Sequence, residues 1–133
     1  MSIIGPKEPN AHERRVMKKV EALARKTGYF VPPIRWRRCA KILSDTPRGD
    51  HAETVTRLMV LGKGRKRLSE VTVWISDRAV EDTVLVDACV HEVAHAITAQ
   101  MVDATVWGDG HIASWGVVYA SLIRNLDAGP PIE

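Results

Sequence analysis

The stretch Thr83-Val84-Leu85-Val86-Asp87-Ala88-Cys89-Val90-His91-Glu92-Val93-Ala94-His95-Ala96-Ile97-Thr98-Ala99-Gln100-Met101-Val102 decides the architecture. Val84, Leu85, Val86, Ala88, Cys89, Val90, Val93, Ala94, Ala96 and Ile97 leave it apolar nearly all round. A helix that is hydrophobic on every side is a buried central helix, so the chain is expected to wrap its other elements around residues 83–102. Within that helix, His91, Glu92 and His95 are the only His, Asp, Glu, Lys or Arg residues between Ala88 and Val102. Burying polar or charged groups without compensation costs several kcal/mol, roughly 2–7 for a neutral polar group. A single metal ion would compensate all three together; the alternative is a pair of core histidines hydrogen-bonded to backbone or to Glu92.

His91-Glu92-Val93-Ala94-His95 is the pattern HExxH. Residues four apart on a helix share one face, so both imidazoles can reach one ion. Zinc takes histidine nitrogens at about 2.0–2.1 Å. Glu92 is rotated by about 100° from His91 and is expected beside the ion as a general base rather than as a ligand. A catalytic zinc uses three protein ligands and keeps one position open. Thr98 and Met101 stand where HExxHxxGxxH would need Gly and His, and no Glu occurs between Glu92 and Glu133. His111 is the single later histidine, placed after Gly108-Asp109-Gly110, and it is the expected third ligand. Asp103 and Asp109 are the fallback ligands, and Asp109 is also a candidate orienting partner for one. His12 and His51 read as bystanders. Trp115 is expected to pack the third-ligand helix. Tyr119 reads mainly as core, with oxyanion stabilisation as the sharper alternative.

Outward from this helix, Asn10 and Glu13 form a capping box at the head of a helix over 11–27, with Gly28 as its stop. Residues 1–9 and 128–133 are expected to be flexible. Ile34 to Trp36 reads as a short strand, continuing irregularly to Leu43. Thr46 to Asp50 is turn chemistry. Thr54 to Leu61 reads as a strand rich in β-branched residues. Gly62 to Arg67 is expected to be a basic loop, followed by a half-buried strand over 71–76, the pair forming a hairpin. A tight turn at 107–110 leads to a last helix over about 112–126. The expected fold class is α+β in one domain: an N-terminal helix, a small antiparallel sheet, the buried HExxH helix and a C-terminal helix.

Charge is distributed unevenly. Residues 1–67 hold 17 Lys/Arg against 6 Asp/Glu, a net of +11, while residues 68–133 hold 2 against 10, a net of −8. The split points to an anionic partner such as DNA at the N-terminal half, or else to charge that decorates the solvated sides of different elements. Lys63, Arg65, Lys66 and Arg67 are the candidate phosphate contacts, which would bind without reading sequence. Cys39 and Cys89 form no CxxC pair and are expected to be buried thiols. No apolar run reaches the roughly 20 residues that cross a bilayer. Met1 to Pro6 lacks the form of a signal peptide, so a cytoplasmic protein without membrane contact is expected.

The run from Val73-Trp74-Ile75-Ser76 through His91-Glu92-Val93-Ala94-His95-Ala96, resumed at Asp109-Gly110-His111 and Trp115, resembles the SprT-like (Spartan-like) zinc metallopeptidases. The 15 residues between His95 and His111 match the spacing of that family. The resemblance spans most of residues 11–126 and is specific over 73–115. It implies a compact, zincin-like metallopeptidase domain holding Zn2+, acting on protein or peptide substrates and associated with DNA. Two differences stand out: Ile112 follows the third histidine where many members carry Gly, and there is no cysteine ribbon. The expected mechanism is peptide hydrolysis with Glu92 as base, the strand at 71–76 receiving an extended substrate as a further strand. The alternative is a nucleic-acid-binding module whose zinc is structural.

Overall fold

The computed structural model describes residues 2–43, 52–62, 65–79, 82–101 and 113–128. The elements run in the order β1 (Ser2–Lys7), α1 (Ala11–Thr27), β2 (Ile34–Leu43), β3 (Ala52–Gly62), β4 (Arg65–Ser76), α2 (Asp82–Met101) and α3 (Ala113–Ala128). The fold is α+β. Among the described residues, no helix is long and apolar enough to cross a membrane.

Helix α1 begins and ends where its caps dictate. The Asn10 side chain accepts from the Glu13 N–H, and Glu13 accepts from the Asn10 N–H, each at 2.8 Å. Gly28 closes the helix at φ 107°, a left-handed conformation that suits a residue without Cβ. Val16, Met17, Val20 and Ala24 are buried. Glu21 is buried with them because Trp36 Nε1 on β2 donates to its Oε1 at 2.7 Å.

The sheet has four strands in the order β1-β2-β4-β3. It is mixed rather than antiparallel: β1–β2 and β3–β4 are antiparallel, but β2 and β4 run parallel, with Trp36 opposite Val73. The reason is the apolar character of β4. Val71, Val73 and Ile75 are fully buried, so β4 takes an interior place and β3 is left at the edge. Strand β4 inserts beside β2, and the reversal through β3 brings it back in the same direction.

Two further expectations are corrected. Residues 2–7 are not loose but form β1, paired along β2 from Ser2↔Leu43 to Lys7↔Arg38. Pro6 is tolerated there because β1 is the outermost strand. Arg65, Lys66 and Arg67 belong to β4, paired with Gly62, Val60 and Met59, rather than to a loop. Their partners in register, Gly62, Val60 and Met59, carry no charge, so the pairing sets no like charges opposite one another. Lys63, the turn at 46–50 and the turn at 107–110 lie outside the described residues.

The core lies where Val71, Val73 and Ile75 of β4 meet the helices. Helix α2 packs on β3 and β4 and against both other helices. Leu85, Cys89, Val90, Val93, Ala94, Ala96 and Ile97 are buried, which fits its all-round apolar sequence. From α3, Val118 and Leu122 complete the core, with Trp115, Tyr119, Ile123 and Leu126 packed against it. Buried Arg38 anchors the approach to α2. Its Nε lies 3.0 Å from Glu13 Oε2 at the head of α1, and its guanidinium reaches Asp77 and the Ala79 carbonyl beyond β4. Cys39 and Cys89 are both free and buried. Burial raises both thiols above their usual pKa, with Asp77 adding to the effect at Cys39.

Candidate metal centre on the buried helix

His91 and His95 lie on α2 one turn apart, and their Nε2 atoms are 3.2 Å from each other. Two Zn–N bonds of ordinary length at a tetrahedral angle separate their nitrogens by about 3.3 Å. The pair therefore has the spacing a shared ion requires. Both rings are half-buried on a helix whose other faces are covered, which gives this one face access to the outside.

Glu92 is 4% exposed and turns toward the sheet. Thr54, on β3, donates its hydroxyl hydrogen to Glu92 Oε2. The other carboxylate oxygen, Oε1, lies 3.9 Å from His91 Nε2. One oxygen is thus held by the sheet, and the other faces the imidazole pair. This asymmetry suits a base that reaches a water at the ion without ligating the ion.

Helix α3 supplies the opposite wall. The Trp115 ring stacks on His95 at 5.2 Å between centroids and meets His91 edge-on at 4.8 Å. Its Nε1 donates to the His91 carbonyl at 3.4 Å. Tyr119 stacks on Trp115 at 5.0 Å and also borders His91. The Tyr119 hydroxyl donates to Asp87 Oδ1 at 2.5 Å. Burial, and then the bond to Asp87, pushes the Tyr119 phenol up to about 12, so it stays protonated at neutral pH.

The structure brings together three of the expected site residues, His91, Glu92 and His95. The expected third ligand, His111, and both fallback aspartates lie outside the described residues. Among the described residues, no group of three or more His, Cys, Asp or Glu converges to hold a metal. The residues that are described fit two of the three ligands of a zinc site and its base. Sequence reasoning missed Thr54 and Asp87. Asp87 stands four residues before His91, so helical spacing could have placed it on the same face. Nothing in the sequence marks Thr54, whose role depends on which strand borders α2.

Strand β4 cannot receive an extended substrate, because β2 and β3 occupy both its edges. The strand beside Glu92 with an open edge is β3, whose outer side pairs with no strand among the described residues. The candidate phosphate contacts Arg65, Lys66 and Arg67 lie at the far end of the β3–β4 hairpin. From Thr54 to Gly62 is about 26 Å of strand. No family model, curated protein or solved structure matches the chain.

Proposed function

We propose that this protein is a zinc-dependent peptidase of zincin-like architecture, with His91, His95 and His111 as ligands and Glu92 as general base. The observation that carries the reading is the 3.2 Å separation of the two imidazole nitrogens beside a buried carboxylate fixed from the sheet. The resemblance of residues 73–115 to SprT-like metallopeptidases supports it from the sequence. Zinc held there supplies Lewis-acid polarisation of a water and of the scissile carbonyl. Glu92 takes the proton of the attacking water on Oε1 and returns it to the leaving amine. Trp115 and Tyr119 hold the imidazoles in place and narrow the approach of bulk water. An extended peptide docks antiparallel or parallel along the open edge of β3, where backbone bonds fix it next to Glu92.

The same reading includes an anionic partner. The basic end of the β3–β4 hairpin lies well away from Glu92, so DNA bound there leaves the peptide edge clear. DNA then acts as a tether that concentrates the enzyme on proteins attached to it, and zinc remains catalytic rather than structural.

The test is Glu92→Gln. It keeps the shape of the side chain and removes the base. The variant should hold as much zinc as wild type while peptide hydrolysis falls about 10²–10⁴-fold. Hydrolysis at the wild-type rate would refute the mechanism.

A further inference from the structure

We infer that Thr54 is a positioning residue for Glu92, selecting which carboxylate oxygen acts as the base. The inference rests on the proposed peptidase reading and assigns a role within it to a residue of the sheet.

Glu92 follows His91 by one position, so the helix aims it about 100° away from the imidazole face. That direction leads to β3. Thr54 stands on β3 opposite Val73 of β4, a fully buried residue, and its hydroxyl donates to Glu92 Oε2. The same hydroxyl lies 3.5 Å from the main-chain carbonyl of Glu92, so it sits against the helix backbone as well as the carboxylate. Glutamate has three side-chain torsions and can rotate its two oxygens freely. Threonine is branched at Cβ and has few χ1 choices, so the strand aims its hydroxyl in a fixed direction. A stiff donor thus orients a flexible acceptor. With Thr54 on Oε2, the carboxylate is turned so that Oε1 lies toward His91 Nε2, 3.9 Å away.

The arrangement also links substrate to base. Among the described residues no strand pairs with the outer side of β3, and its Thr54 touches the carboxylate. A peptide paired along β3 is therefore registered against Glu92 through Thr54.

A docking role alone predicts a different outcome, because packing of β3 on α2 depends on shape and not on the hydroxyl. The test compares Thr54→Val, which removes the hydroxyl at nearly constant volume, with Thr54→Ser, which keeps it. Crystal structures of the zinc-loaded variants read the Glu92 carboxylate. Kinetics on a fluorescence-quenched peptide cleaved by wild type read kcat and KM separately. Thr54→Ser should keep Glu92 in its wild-type rotamer and kcat within about threefold of wild type. Thr54→Val should release Glu92 into other rotamers and lower kcat about 10–100-fold, with KM and zinc content unchanged. A Val variant that keeps the Glu92 rotamer, or keeps kcat within about twofold, overturns the inference. If Thr54→Val does not fold, Thr54→Ala against Thr54→Ser carries the same comparison. A wild type without peptidase activity, or an active Glu92→Gln, defeats the peptidase reading instead, and the crystal structures still decide whether Thr54 orients Glu92.

Discussion

Trp115 is bound to His91 in two ways, through ring contact at 4.8 Å and through a bond from its Nε1 to the His91 carbonyl at 3.4 Å. It also stacks on His95, so one side chain of α3 fixes the orientation of both imidazoles. Groups that orient metal ligands are worth about 10–100-fold in affinity. Trp115→Ala should weaken zinc binding by about that factor, measured by competition with a chromogenic chelator. Trp115→Phe, which keeps the ring contact and loses the donor, should lie between. An unchanged affinity in Trp115→Ala would show that the ring is only core packing.

Trp36 and Glu21 make a separate prediction about stability. Glu21 is 3% exposed, and Trp36 Nε1 donates to it at 2.7 Å. Lys18 and Arg25 approach its other oxygen from the surface at 3.6 and 3.9 Å. Trp36→Phe keeps an apolar ring but takes the hydrogen-bond donor from Oε1 of a buried carboxylate. It should cost about 1–3 kcal/mol in urea unfolding, with an unchanged m value. Neither residue is among the proposed ligands or the base, so zinc content should be unaffected.

Tyr119 gives a prediction in pH. Its phenol is pushed up to about 12, above its unfolded value near 10. A raised folded-state pKa contributes stability that is present below about pH 10 and fades as pH rises toward 12. Absorbance titration of the phenols should show a late transition near 12 that Tyr119→Phe removes. Asp87→Ala should bring its transition down, since Asp87 is one of the two causes of the rise. A Tyr119 that titrates near 10 in the folded protein would contradict the bond to Asp87.

The hairpin prediction concerns salt. Each phosphate contact contributes about 0.7–0.9 to the slope of log K against log salt concentration. Replacing Lys63, Arg65, Lys66 and Arg67 by Ala should weaken DNA binding and reduce that slope by about 3, measured by fluorescence anisotropy. Peptide hydrolysis without DNA should stay at the wild-type rate, because the hairpin end is distant from Glu92. An unchanged slope would remove the hairpin from the DNA surface.

These predictions draw unequally on sequence and on structure. Helix α1 was legible to the residue, because capping by Asn10 and Gly28 is a local property. Helix α2 and its His91, Glu92 and His95 were legible because helical spacing alone puts both imidazoles on one face. The sheet was legible in its strands but not in their order. Whether β4 pairs with β2 depends on burial competition among strands far apart in the chain, which no local pattern encodes. The same is true of Thr54, whose contact with Glu92 exists only because β3, not β4, is the edge beside α2. Strand β1 was missed because Gly5 and Pro6 read as loop, although an outermost strand tolerates both. Gly5 adopts φ +65° and a Cβ there would meet Ala40 Cβ at 2.9 Å, so glycine is what lets β1 approach β2 so closely.

The most direct test of the central claim is the zinc content per chain of purified wild type, His95→Ala and His111→Ala, by elemental mass spectrometry under matched conditions. The account predicts about one zinc in wild type and a large loss in both variants, with each variant still folded by circular dichroism. No zinc in wild type after supplementation, or full retention in His95→Ala, would contradict it.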